Sequence, residues 1–178
     1  DITDSGTLTI TGAATFITGA TGSNIVLDSS GNVFSNSVEM KAGDGTAAFG
    51  NITFVDSAGI DFATSAGSNG DLYINSSTDG TVGGNLSVTA TTGNITDTVA
   101  VVTTGSSTSS FTTSATNGTI ELNTPASLAG AVALSTTGAS GNATIDNGTT
   151  ALNIAASTIG GNLTVTAGDS ITDSGVIT

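Results

Sequence analysis

Apolar and polar residues alternate along this chain in short runs. Asn24-Ile25-Val26-Leu27-Asp28, Gly50-Asn51-Ile52-Thr53-Phe54-Val55-Asp56, Ile60-Asp61-Phe62 and Gly84-Asn85-Leu86-Ser87-Val88-Thr89-Ala90 place an apolar side chain at every second position. Successive side chains of a strand point to opposite faces, so this alternation predicts strands with one buried face. Gly and Asn punctuate the runs as turn residues. No stretch has helical spacing with caps, and Thr, Ser, Val, Ile, Gly and Asn dominate, so the chain reads as all-β.

The runs also recur. Ile2-Thr3-Asp4-Ser5-Gly6 returns at the far end as Ile171-Thr172-Asp173-Ser174-Gly175, with a related Ile95-Thr96-Asp97-Thr98 between them. Gly84 to Ala90 returns as Gly161 to Ala167. Asn24–Asp28 aligns with Thr119–Asn123, Gly50–Asp56 with Gly141–Asn147, and Ile60–Phe62 with Leu152–Ile154. Self-similarity of this kind is the mark of a solenoid. The reading is a single solenoid segment over 1–178, one window of a longer array. Its sub-repeats run approximately 2–94 and 95–170, and 171–178 begin the next repeat. The first sub-repeat is the longer by close to the length of one coil. That predicts one extra coil near Ser65 to Thr81, around Asp71-Leu72-Tyr73-Ile74-Asn75. At roughly 19 residues and about 4.8 Å per coil, about nine coils and a rod of roughly 43 Å follow.

Comparing the copies assigns the faces. Val26 is replaced by Glu121 and Val55 by Asp146. A buried apolar site does not accept a carboxylate without a large desolvation cost, so Val26 and Val55 are assigned outward. Ile25, Leu27, Ile52, Phe54, Ile60, Phe62, Leu86, Val88, Leu163 and Val165 are assigned inward. Asn51, Asn85, Asn142 and Asn162, at turn starts, are placed to stack into amide ladders along the axis.

Charge narrows the function classes. Fourteen acidic residues stand against Lys41 alone, for a net −13. Phosphate-backbone binding runs on Lys and Arg, so nucleic acid is excluded as a partner. Anionic membrane surfaces are disfavoured too. No apolar run approaches ~18 residues, so no membrane insertion by a helix is predicted. The acidic surface should keep neighbouring rods apart sideways. There is no Cys or His, which removes disulfides, thiolate metal sites and triad chemistry.

Carboxylates are what remains. Asp56 with Asp61, and Asp169 with Asp173, are the neighbours a glycosidase would need. Trp is absent and Tyr73 is the only Tyr, so the aromatic platform for sugar is missing, and these acids read as solvent-facing turn residues. Asp28, Asp44, Asp71 and Asp79 offer oxygen ligands in Gly-rich turns, but without a Ca²⁺-binding repeat only loose cation association is expected. Thr-x-Thr pairs such as Thr7-Leu8-Thr9 and Thr164-Val165-Thr166 look irregular from coil to coil and read as ordinary β-propensity. No catalytic, cofactor or metal residue is assigned.

The stretch from Ser157 to Gly175, with Gly161-Asn162-Leu163-Thr164-Val165-Thr166-Ala167 followed by Ile171-Thr172-Asp173-Ser174-Gly175, resembles the repeats of filamentous-haemagglutinin-like, β-strand-repeat bacterial surface adhesins. Ile2 to Ile10 and Gly84 to Thr98 fit the same template. The resemblance implies a right-handed parallel β-helix, secreted to the cell surface, often by a two-partner route. It implies a stiff adhesin stalk or biofilm matrix filament for attachment and cell–cell cohesion, not an enzyme. Expected partners are neighbouring repeats end to end, self-association into filaments, and a host or cell-surface glycan or receptor. A glycan- or receptor-binding β-helix module is the alternative, with Tyr73 as its seed. A polysaccharide-degrading β-helix is the third reading.

Overall fold

The computed structural model describes residues 1–43, 50–63, 71–74 and 81–178. It is a parallel β-solenoid with no helix among these residues. The strands in chain order are Ile2–Thr3 (β1), Thr9–Ile10 (β2), Ala14–Ile17 (β3), Ile25–Leu27 (β4), Val33–Phe34 (β5), Val38–Lys41 (β6) and Ile52–Asp56 (β7). Then come Ile60–Phe62 (β8), Asp71–Ile74 (β9), Thr81–Val82 (β10), Leu86–Ala90 (β11), Ile95–Asp97 (β12), Val102–Thr103 (β13) and Ser109–Thr116 (β14). Ile120–Leu122 (β15), Ala131–Thr137 (β16), Ala143–Asp146 (β17), Leu152–Ile154 (β18), Leu163–Thr166 (β19) and Ile171–Asp173 (β20) complete the chain.

Two long walls face each other. The first wall runs β1-β4-β7-β11-β14-β16-β18-β20, and the second runs β19-β17-β15-β12-β8-β9-β6-β3. The pairs β2-β5 and β10-β13 make short third sides. From β1 to β20 the chain makes seven coils, not the nine expected from a short, uniform coil. Most coils are longer than expected because corners and third sides add to them. First-wall neighbours are Ile2 with Ile25 in one coil and Ile52 with Leu86 in another. Only the last, where Leu152 meets Ile171, is as short as the sequence reading assumes. The rod is therefore about 34 Å long at ~4.8 Å per coil.

The extra piece of the first half adds a strand rather than a coil. Leu72 in β9 pairs with Val38 of β6 on one side and with Phe62 of β8 on the other. In the first wall the corresponding strands β4 and β7 are direct neighbours, with Ile25 opposite Ile52. The insertion thus widens one wall only. Its flanks, 64–70 and 75–80, lie outside the described residues, as does Asn75.

The aligned segments exchange walls. Asn24–Asp28 carries first-wall β4, and its counterpart Thr119–Asn123 carries second-wall β15. Gly50–Asp56 holds β7 in the first wall, and Gly141–Asn147 holds β17 in the second. Ile60–Phe62 is second-wall β8, and Leu152–Ile154 is first-wall β18. From Ile2 to Ile95 is three and a half coils, and from Ile95 to Ile171 another three and a half. The full recurrence therefore returns Ile171 to the wall of Ile2. Both walls are built from one kind of segment.

The inward assignments hold for Ile25, Leu27, Ile52, Phe54, Ile60, Phe62, Leu86 and Val88, all fully buried. Leu163 and Val165 pack on the same core but are only half-buried, in the last coil. Phe34 sits 5.1 Å from Phe54 and 6.1 Å from Phe16, centroid to centroid, and Phe62 packs edge-on against Phe111 at 5.9 Å. Val26 is half-buried on the outer face. Val55 also alternates outward, level with Thr89, yet is only 9% exposed. An outward position on a sheet flanked by strands on both sides loses most of its access when the side chain is short and β-branched, so facing outward and being open differ here.

Candidate functional site

The polar residues are concentrated at corners and on outer faces. At the entry to each wall the sequence Gly-Asn has a mechanical role. Asp1 Oδ1 accepts the Asn24 N–H at 2.7 Å, Asn24 Oδ1 that of Asn51 at 2.7 Å, Asn51 Oδ1 that of Asn85 at 2.8 Å, and Asn85 Oδ1 that of Thr108 at 2.9 Å. The second wall repeats it, with Asn94 on Thr119 at 2.9 Å and Asn142 on Asn162 at 2.8 Å. The ladder links a side-chain oxygen to the next coil's backbone, rather than amide to amide. The preceding Gly permits the close approach this needs. A Cβ on Gly84 would lie 2.4 Å from the Gly50 carbonyl oxygen.

At the exit from each wall a short polar side chain clamps an adjacent coil. Asp4 accepts the N–H groups of Asp28 and Ser29, both at 3.2 Å, and the Asn32 amide at 2.7 Å. Asp97 accepts from the backbone of Asn123 at 3.0 Å and Thr124 at 3.2 Å. Asp56 accepts from Phe34 at 3.2 Å and Ala58 at 3.3 Å. Asn147, its aligned counterpart, accepts from Leu128 at 2.7 Å and donates to the Ala151 carbonyl at 2.7 Å. Burial pushes the Asp56 and Asp97 carboxyls above the usual 3.8, and the Asp61 charge adds to this at Asp97. At Asp4 burial is outweighed by the donors from Asn32, Ser29 and Asp28, and its pKa falls below 3.8.

The acids named from the sequence fall in different settings. Asp56 is buried inside the first-wall corner, while Asp61 faces outward from the second wall and accepts the Thr96 hydroxyl at 3.1 Å. Asp56 is thus turned into its corner, a correction to its reading as a solvent-facing turn residue, and Asp61 is turned away from the core. Asp169 accepts its neighbour Ser170's N–H at 2.7 Å, and Asp173 is exposed on β20. Asp44 and Asp79 lie outside the described residues, and among the described residues no group of three acids is placed to hold a metal. Tyr73 faces outward on β9, in register with Glu39.

The outer faces of the walls differ in a way that linear spacing hides. On the first wall Thr53, Ser87, Ser110 and Ala133 form one column in register, and Val55, Thr89, Thr112 and Ser135 form the next. Small side chains, mostly hydroxyl-bearing, fill these columns, interrupted by Ala133 and Val55, whereas Thr164 and Thr166 of the second wall stack on Thr144 and Asp146, as irregular as the linear pattern. Among the described residues no charged side chain occupies an outward position of a first-wall strand; Asp28 is exposed one residue past β4, and Asp173, exposed on β20, stands level with inward Ile154. The second wall carries Glu39, Lys41, Asp61, Asp71, Glu121 and Asp146 outward.

Residues 1–41 and 140–178 match a family described as repeats of unknown function (DUF5649). The two matched blocks are the stretches that carry the recurring Ile-Thr-Asp-Ser-Gly. No curated protein and no solved structure matches the chain significantly.

Proposed function

We propose that this chain is a structural repeat segment of a long, secreted bacterial surface fibre, a stiff adhesin stalk or matrix filament for attachment and cell–cell cohesion. One observation carries the reading. The recurrence from Ile2 to Ile171 spans a whole number of coils, so the next Ile-Thr-Asp-Ser-Gly begins on the same wall with the same inward face. Such a unit can be continued without a break in register, each repeat contacting only its neighbours. The backbone ladders and the apolar stack then run unbroken along the axis, which gives stiffness. The partners are neighbouring repeats, and the tip or the outer faces meet a host or cell surface.

Electron microscopy of the native material tests this. A thin rod with about 4.8 Å axial spacing and a longer repeat near ~34 Å supports it. Compact isolated particles overturn it. Antibody labelling of intact cells tests the surface location, and absence of label on cells that make the protein contradicts it.

A binding module is the second reading, and Tyr73 favours it. Its ring lies on an inserted strand beside Glu39, an arrangement that fits a sugar face on an aromatic ring with a carboxylate to accept hydroxyls. Binding to a glycan array that Tyr73→Ala abolishes would bring this reading forward.

A further inference from the structure

We propose that the uncharged outer face of the first wall is a self-association surface, and that its partner is the same face of a second copy of this chain.

The observation is where charge falls when one segment type is used on both walls. Val26 on the first wall aligns with Glu121 on the second, and Val55 with Asp146. Asn153 on the first wall aligns with Asp61 on the second. Val38–Lys41 of β6 aligns with Val132–Ser135 of β16, so Glu39 and Lys41 on the second wall become Ala133 and Ser135 on the first. In each of these pairs the ionisable side chain is on the second wall and the neutral one on the first. The repeat therefore tolerates a charge at these positions. One aligned pair runs the other way, exposed Asp28 just past β4 against Asn123 just past β15, so the neutrality of the first wall belongs to its strands and not to its edge.

A second copy fits this face for electrostatic and entropic reasons. At −13 per chain, two copies repel wherever carboxylates meet. Among the described residues the strands of the first wall bring no outward charge together, and the carboxylate of Asp28 lies at the edge of the face, beyond the end of β4. The first wall's Thr, Ser, Ala and Val side chains are short, so packing them freezes little rotamer freedom, unlike Glu, Lys or Tyr on the other wall. The in-register columns make a regular surface of the kind that interdigitates between sheets. With strands of about five residues over seven coils, the face measures roughly 17 by 34 Å. A pair would bury about 1,100 Å² in total, at the lower edge of specific interfaces, so association should be weak and reversible for one segment. In an array it would multiply along the rod.

Sedimentation of the intact chain up to about 1 mM, in low and high salt, tests it. The matched variants are Ser87→Glu on the first wall and Thr164→Glu at the aligned second-wall position, which change net charge equally. A concentration-dependent dimer is expected, strengthened by salt, weakened at least tenfold by Ser87→Glu and less than twofold by Thr164→Glu, with unchanged circular dichroism. Because the chain has no Cys, Ser110→Cys should also cross-link copies on oxidation and Thr144→Cys should not. A monomer throughout, an equal response to both Glu variants, or equal cross-linking at both positions would overturn the proposal. A dimer insensitive to Ser87→Glu points to end-to-end contact and overturns it too.

Discussion

At the scale of single residues, the buried corner acids are the most informative. Asp56 and Asn147 occupy aligned corners and both accept a backbone N–H from the neighbouring coil, but only Asp56 can carry a charge there. Burial raises the Asp56 and Asp97 pKa values above 3.8, so the folded chain binds protons more tightly than the unfolded one. Their ionisation therefore costs stability as pH rises from 3.8 through the raised values, and that stability returns as pH falls back through the same window. Asp4 works oppositely, stabilising above 3.8 and losing its contribution as pH falls through its lowered value. We expect thermal stability, followed by circular dichroism, to rise as pH falls from neutrality through the raised values and to decline once Asp4 is protonated. Asp56→Asn keeps the acceptor and removes the buried charge, so it should raise Tm at neutral pH by about 2–4 °C, the shift that ~1 kcal/mol gives at this size, and flatten the pH dependence. Ser109 makes a parallel case. It is buried between Leu86 and Val132 with no partner for its hydroxyl among the described residues. Ser109→Ala should stabilise by about 1 kcal/mol in a denaturation titration, since it removes an unsatisfied buried group.

At the scale of the coil, the Gly-Asn corner joins one layer to the next. Gly84→Ala forces a methyl to 2.4 Å from the Gly50 carbonyl, a backbone atom that moves only if the layers part. Gly12 has nothing within 4 Å of a built Cβ. Gly84→Ala should therefore cost about 3 kcal/mol and Gly12→Ala close to nothing, measured by chemical denaturation. The strands and their inward faces were legible in the sequence because period 2 is a local signal and because Val26/Glu121 compares one position in two settings. Coil length was not legible. Corners such as 28–32 and 98–101 have no periodicity. Coils as unequal as Leu152 to Ile171 and Ile52 to Leu86 then hide the registry of Thr53, Ser87 and Ser110. For the same reason the segment around Asp71 read as a whole coil. Its apolar pattern, Leu72 and Ile74, is that of any strand, and only pairing shows that it enters one wall. Asp56 reads as solvent-facing in the sequence but is buried, because a polar residue beside a turn carries no local sign of whether the corner turns its side chain in, as at Asp56, or out, as at Asp61.

At the scale of the whole molecule, the exchange of walls makes the half-repeat the unit of folding and the full repeat the unit of surface. Any half begins with Ile-Thr-Asp and can sit on whichever wall the previous half left free, since the inward residues are equivalent. The outer charges travel with the segment. Two fusions separate these properties. In one, residues 2–170 are followed by 2–178, adding seven coils. In the other they are followed by 95–178, so that Ile95 takes the place of Ile171 and every later segment changes walls. Both junctions present the same Ile-Thr-Asp to β18, and both chains should fold as continuous rods, of about 67 Å and about 50 Å by X-ray scattering. In the second chain the segments bearing Glu121 and Asp146 lie on the first wall and break its neutral face. It should match the first in cooperativity of unfolding while associating more weakly. Failure of the second chain to form a continuous rod would mean that the halves are not interchangeable. Equal association of the two would mean that the distribution of charge between the walls has no bearing on how rods meet.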